Sequence, residues 1–468
     1  MSTDRLGVAR RRPLGFAAVF AIVVATLVVL AAVGAAVSVA QGPRATDVAV
    51  DPEAAVEASG TRVIFTTTQS LQEVDASQVT ITPAIPFAVD TSGRSVGVRF
   101  TLPLWDETEY TVTIDDVTGL RGGATSTLTE TFTTPGIELF VLQRGGENGD
   151  TVFVTDLDGE QAIPVFTHPA IEDFRITADH LVFSVRDEND QSQLIVTDHE
   201  GQNERTLALP GEGTISDLQA ADRGDRIGYL FTDAAVGTDG ALESALFTAS
   251  VDDSAAEEAP VQVAVEGSDA RVDSWSFVPD TDSVLFVGFD SALTLTGPTG
   301  ENPASFGLAN AIAGITPGTS EAVIDRPEGW VVLDLSTGDE TPLVASAEDL
   351  GTLNDVEPLP GGGTLRTTSL RDEGGQPIAT TIATVDDEGE TAIVMDVPNE
   401  DTVLQTCVSP SGRYAAVLIA PDVVSNRYDG YLLPLPERVE THTLSLADNE
   451  EIVALAGFDA SWCRLPPG

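Results

Sequence analysis

From about residue 136 to its end, the chain repeats one short motif of alternating strands and turns, and this recurrence limits the fold more than any other feature. Asp273-Ser274-Trp275-Ser276-Phe277-Val278-Pro279-Asp280 leads into the apolar strand Val284-Leu285-Phe286-Val287. Leu404-Gln405-Thr406-Cys407-Val408-Ser409-Pro410-Ser411-Gly412 leads into Tyr414-Ala415-Ala416-Val417-Leu418-Ile419 in the same way. Further copies begin at Ile171-Glu172-Asp173-Phe174, Ile215-Ser216-Asp217-Leu218 and Asn354-Asp355-Val356-Glu357; the most degenerate is Ala311-Ile312-Ala313-Gly314-Ile315-Thr316-Pro317-Gly318. A third strand in each unit ends in an acidic turn, as in Val154-Thr155-Asp156-Leu157-Asp158-Gly159 and Thr384-Val385-Asp386-Asp387-Glu388-Gly389, and a short fourth strand follows. Asp-Gly and Ser-Gly turns between such strands are hairpin chemistry, and spacings of roughly 40–50 residues are those of propellers and arrays.

The two ends of this block complement each other. It opens at Ile137-Glu138-Leu139-Phe140-Val141, a second strand with no first strand before it. It finishes at Ala460-Ser461-Trp462-Cys463-Arg464-Leu465-Pro466, a first strand with no second after it. The C-terminal strand is therefore expected to complete the first blade of a β-propeller of about seven blades, closing a ring and removing an exposed edge. The stretch Ser409-Pro410-Ser411-Gly412-Arg413-Tyr414, with a second copy near Val278–Asp282, resembles the Ser-Pro-Asp-Gly-Lys-Tyr signature of TolB-like, WD-repeat-related bacterial propellers. That resemblance implies an interaction platform in the cell envelope.

Residues 44–136 read as a separate sandwich, with strands near Thr61–Thr67, Gln78–Thr82, Ser95–Thr101, Glu109–Ile114 and Ser126–Phe132. The alternation Tyr110-Thr111-Val112-Thr113-Ile114 gives one buried and one wet face. The run Leu104-Trp105-Asp106-Glu107-Thr108-Glu109 into that strand, then Val117-Thr118-Gly119-Leu120 and Thr131-Phe132-Thr133-Thr134-Pro135, resembles the bacterial Ig-like domains of S-layer and other surface proteins. The resemblance implies a spacer or adhesive module. The fold class expected is thus all-β behind an N-terminal helix: tail 1–13, membrane anchor 14–40, Ig-like sandwich 44–136, propeller 137–468.

The anchor rests on an apolar run from Leu14 to Ala40 preceded by Arg5, Arg10, Arg11 and Arg12. It exceeds the ~20 residues a spanning helix needs. It is also longer than a cleavable signal's core, although Ser38-Val39-Ala40 offers a small-residue cleavage site. The arginines before it, against Arg44, Asp47, Asp51, Glu53 and Glu57 behind it, orient the N-terminus to the cytoplasm and the body outside. The formal charge is -51, from 74 acids against 23 basic residues, all of them Arg. A body this acidic repels nucleic acid and anionic headgroups, which need clustered positive charge. The acids are scattered, as on a surface kept soluble in a salty exterior; an array of divalent-cation sites is the sharper alternative.

Two residue sets are candidates for function. Asp173, Asp217, Asp273, Asp355 and Asp459 fall near the starts of successive repeats, where they are expected to converge at one end of a central channel and bind a ligand such as a cation or a sugar; alternatively each caps its own turn. Cys407 and Cys463 occupy equivalent positions in neighbouring repeats and are expected to form a disulfide outside the membrane, two free buried thiols being the alternative. His168, His180, His199 and His442 are too scattered for a metal centre. No nucleophile elbow or phosphate loop is present, and no cofactor is indicated. The function expected is a non-catalytic, anchored cell-envelope protein whose propeller binds a protein or glycan and whose Ig-like domain is a spacer. The alternative is a glycosidase or lyase using channel carboxylates such as Asp173 and Asp273; a third reading is a structural protein that depends on calcium.

Overall fold

A computed structural model describes residues 15–40, 42–222, 224–255, 258–375 and 377–467, with backbone alone for 31–40. The expected cytoplasmic tail lies outside these residues. Phe16–Ala40 is a single α-helix with no acid in its first turn and no base in its last. Its side chains are described only as far as Leu30, and among the described residues no helix is long and apolar enough to cross a membrane.

The rest is almost entirely antiparallel β-structure in two compact units. One unit takes the chain up to Asp51 together with Arg62–Arg99 and Glu109–Phe132. Its strands are β1 (Ala45–Ala49), β2 (Arg62–Thr67), β3 (Val79–Thr82), β4 (Phe87–Ser92), β5 (Ser95–Phe100), β6 (Glu109–Val117) and β7 (Ser126–Thr133). They form two sheets, in the orders β1-β2-β5-β4 and β3-β6-β7. Alternate residues are buried: Val63 and Phe65 on β2, Val79 and Ile81 on β3, Tyr110, Val112 and Ile114 on β6. The two strands with no counterpart in the sequence reading, β1 and β4, are the outer strands of their sheet. Neither has a fully buried side chain, so neither carries the apolar alternation from which a strand is read.

The second unit comprises Pro52–Thr61, Phe100–Thr108 and Thr133–Gly468. Among the described residues it holds seven sheets in chain succession, each pairing its strands in sequence order: one of three strands, Leu139–His168, then six of four. The first strands of the six, here called leading strands, are Ile171–Ile176, Gly213–Ala220, Val272–Phe277, Ala311–Ile315, Thr352–Pro358 and Thr402–Val408. Each leading strand touches the next. Core clusters bridge neighbouring sheets: Val182, Leu194 and Ile215 join the second to the third, and Leu285, Leu293 and Ile324 join the fourth to the fifth. At Gly228 an added Cβ would lie 2.4 Å from the Trp275 ring of the next sheet.

The series also returns on itself. Leu142, on an edge strand of the three-stranded sheet, exchanges both backbone hydrogen bonds with Phe458 (2.8 and 2.9 Å), and Ser461 N donates to Phe140 O. Leu139 and Val141 pack with Cys407, Tyr414, Ala416, Ala460, Trp462 and Cys463 in one cluster of first-sheet, seventh-sheet and C-terminal residues. The C-terminal segment thus lies where the first sheet lacks a leading strand, an arrangement consistent with a β-propeller. Cys407 and Cys463 are joined as a disulfide with Cα atoms 5.3 Å apart, 56 residues apart in sequence.

A cross-link closing a loop of this length stabilises by about 4 kcal/mol on the chain-entropy model. Reduction, or Cys463→Ser, should lower the urea midpoint accordingly, with the earliest loss of amide-exchange protection at Phe458 and Ser461. Gly228→Ala should destabilise through its clash with Trp275, seen as a lower melting temperature.

Candidate functional site

All six leading strands carry a register irregularity, between Ile171/Asp173, Ser216/Gln219, Val272/Ser274, Ile312/Gly314, Leu353/Asp355 and Val403/Gln405. A bulge inserts an unpaired residue and re-aims the side chains beside it. The candidate aspartates sit in or beside these bulges: Asp217 and Asp273 within them, Asp173 and Asp355 at their edge. Asp217 and Asp459 have left-handed backbone, at φ 47° and 54°, which Asp tolerates better than most residues.

The structure brings two of the five together around one arginine, with a third nearby. Arg175 Nη1 donates to Asp173 Oδ1 (2.7 Å) and to both oxygens of Asp459 (2.9 and 3.0 Å). All three side chains are at least nine-tenths buried. Burial lifts the Asp173 carboxyl well above its ordinary range, against the pull of Arg175, and the nearby Asp459 charge adds to the rise. Asp217 lies at the border of this group: burial raises its carboxyl, the field of Arg175 lowers it, and the charge of Asp273 raises it again. Asp173 Oδ2 and Arg175 Nε and Nη2 are buried with no hydrogen-bond partner in the protein.

Asp355 belongs to a second group. Partial burial raises its carboxyl, against a backbone hydrogen bond at Val356. Two residues along the strand, half-buried Glu357 is pushed up to about 8 by burial, with Arg464 pulling it down and Asp355 pushing it further up. Among the described residues no group of three or more His, Cys, Asp or Glu side chains is arranged to hold a metal ion.

Sequence reasoning missed Arg175, Glu357 and a third cluster. The loop between Tyr414–Ala420 and Glu440–Ser445 folds back over the starts of the first and second sheets. Arg144 stacks over the rings of Tyr431 and Phe458 (3.9 and 4.8 Å) and pairs with Asp429 (2.8 Å). Buried Glu172 accepts the backbone N–H groups of Leu432 and Leu433, both at 3.1 Å, and Tyr431 Oη donates to Asp150 at 2.8 Å. The Ser-Pro-Ser-Gly-Arg-Tyr stretch has a structural task too. Arg413 and the Tyr414 hydroxyl both donate to Asp106, a buried acid on the segment Phe100–Thr108. The one signal that would have found Arg175 is its spacing: two residues beyond Asp173 on a strand, it shares that residue's face.

No family model and no curated protein matches this sequence. Solved structures similar to it include a candidate 6-phosphogluconolactonase from Bacteroides fragilis, at 12% identity and a TM-score of 0.42 over 70% of this chain and 96% of that one. A candidate TolB from Agrobacterium tumefaciens aligns at 15% identity and 0.36 over 69% and 89%, and a chain of the mitotic checkpoint complex at 13% and 0.39 over 80% and 94%. Likeness at this level carries no argument about chemistry.

Removing Arg175 leaves two buried carboxylates with no cation. Arg175→Met should therefore cost about 3–5 kcal/mol in urea unfolding, and adding Asp459→Asn should restore part of it. For Glu357 the sign follows from its raised pKa. The folded protein holds that proton more tightly than the unfolded chain, so the stability it supplies is complete below about 4.5 and is lost as pH rises through about 8. Denaturation midpoints measured from pH 4 to 9 should fall over this window, and Glu357→Gln should flatten the fall.

Proposed function

We propose that this chain is a non-catalytic, membrane-anchored protein of the cell envelope, in which a seven-bladed propeller binds a protein or glycan and an Ig-like sandwich spaces it from the bilayer. The observation that carries the binding reading is the state of the convergent carboxylates. Asp173 and Asp459 are buried against Arg175, so the residues best placed for paired-carboxylate chemistry are committed to holding the propeller together. The sandwich reading is supported by the strand orders β1-β2-β5-β4 and β3-β6-β7, which are those of a constant-type immunoglobulin domain. The anchor reading is supported by the apolar sequence of Phe16–Ala40 and the arginines before it. The Cys407–Cys463 disulfide suits an oxidising exterior.

Alkaline-phosphatase fusions test the placement: a fusion after residue 468 should be active, and the protein should stay with membranes after carbonate extraction. An inactive fusion, or release of the whole chain by carbonate, would sink the anchored reading.

One observation favours a second reading. Glu357 stays protonated near neutral pH beside Asp355, the pairing a glycosidase needs between its acid and its second carboxylate. Hydrolysis of aryl glycosides that disappears in both Glu357→Gln and Asp355→Asn would establish it.

A further inference from the structure

Two consecutive residues near the C-terminus are tied to sheets on opposite sides of the ring. The stretch Phe458–Cys463 lies where the first sheet lacks a leading strand, and the Cys407–Cys463 disulfide joins it to the leading strand of the seventh. Leu465 O then accepts Gln405 Nε2 of that same seventh-sheet strand, at 2.6 Å. Arg464 turns the other way. Its Nη2 lies 3.7 Å from Asp222 Oδ2, in the turn between the first and second strands of the third sheet. From the seventh sheet to the third the steps are seventh to first, first to second and second to third, and in a closed series of seven no two sheets stand further apart. A path around the outside would run past every strand of the sheets between, beyond the reach of one arginine side chain. The path through the interior is short, because the leading strands touch one another in succession there.

Glu357, near the finish of the sixth sheet's leading strand, is also within the field of Arg464. The arginine therefore acts on sheets two steps away in both directions from the first, as only a group inside the ring can. Gly314 of the fifth sheet adjoins the same carboxyl, where an added Cβ would lie 3.6 Å from Glu357 Oε2. We propose that Arg464–Pro467 is a strap laid across the interior of the ring, closing it where the leading strands finish and covering Glu357. The disulfide fixes the strap at Cys463, so the strap can lift while the ring stays closed. Beyond that point it is held by the Gln405 hydrogen bond and by an ion pair whose side chains are 32% and 36% exposed, and exposed pairs hold weakly. Nothing threads the ring while the strap is shut, and a ligand that reaches Glu357 displaces it or enters from the opposite end. This inference goes beyond the binding reading above and stands or falls independently of it.

The test uses the full chain, which contains no lysine. Arg464→Lys therefore places the one side-chain amine on the strap, and a carbodiimide joins that amine directly to any carboxyl in contact with it. The expected products, located by peptide mass spectrometry, are amides to Asp222 and Glu357. Amides only to acids of the first or seventh sheet would overturn the crossing, as would the absence of any internal amide. The cover over Glu357 is read separately, by carbodiimide labelling of accessible carboxyls with glycine ethyl ester. Gln405→Ala with Arg464→Ala frees the strap and keeps the disulfide. Labelling of Glu357 should then rise roughly fivefold, while Asp106 and Asp150, buried elsewhere in the fold, stay unlabelled. Unchanged labelling of Glu357 would overturn the cover. If Asp106 and Asp150 become labelled too, the double variant has opened, and Arg464→Ala alone is read by the same two criteria.

Discussion

The pairing of Phe458 with Leu142 is the contact on which the second unit depends. Without it the first sheet has three strands, an open inner edge and no leading strand, and the core cluster of Leu139, Val141, Cys407 and Trp462 loses one wall. The two hydrogen bonds join residues more than 300 positions apart, and such contacts form only after large loop-closure entropy has been overcome. The disulfide from Cys463 to Cys407 lies five residues further on and removes part of that entropy from the unfolded chain. Closure also delivers function-bearing groups. Asp459 reaches Arg175 because Phe458 is paired, and Phe458 provides one of the two rings under Arg144.

Scarcity of cations organises the buried charges. With 23 arginines against 74 acids, each arginine taken into the interior can gather more than one carboxylate. Arg175 takes Asp173 and Asp459, and Arg144 lies between Asp429 and Glu172. Removing one partner from such a group leaves uncompensated charge in a poorly solvated place, which costs more than the group contributes when whole. Asp217 lies at the border of the Arg175 group and feels its field, and Asp355 acts on Glu357. Glu357 is different again, since burial outweighs the pull of Arg464 and raises its carboxyl to about 8.

Some of this was legible along the chain, and its limits have physical causes. Strands with one apolar face, such as Glu109–Val117, announced themselves by alternation, whereas outer strands with no buried residue did not. The recurring aspartates marked the leading strands because four of them lie in or beside a bulge of such a strand. Their division into a buried group on Arg175 and a separate pair with Glu357 depends on which sheets face each other, and no local pattern carries that. The capping loop over the first two sheets was invisible for the same reason: Glu172 and Arg144 read as ordinary strand charges until Leu432, Leu433 and Tyr431 are folded against them.

The amino-acid sequence alone determined the repeating strand–turn unit, the complementary ends of the repeat block and the strongly acidic surface, because periodicity, turn chemistry and net charge are local or additive properties. Only the tertiary structure decided which aspartates are buried, which arginine holds them and how the two cysteines meet. Each of these depends on distances between segments far apart in the chain, and they are set by the closure of the sheet series on itself.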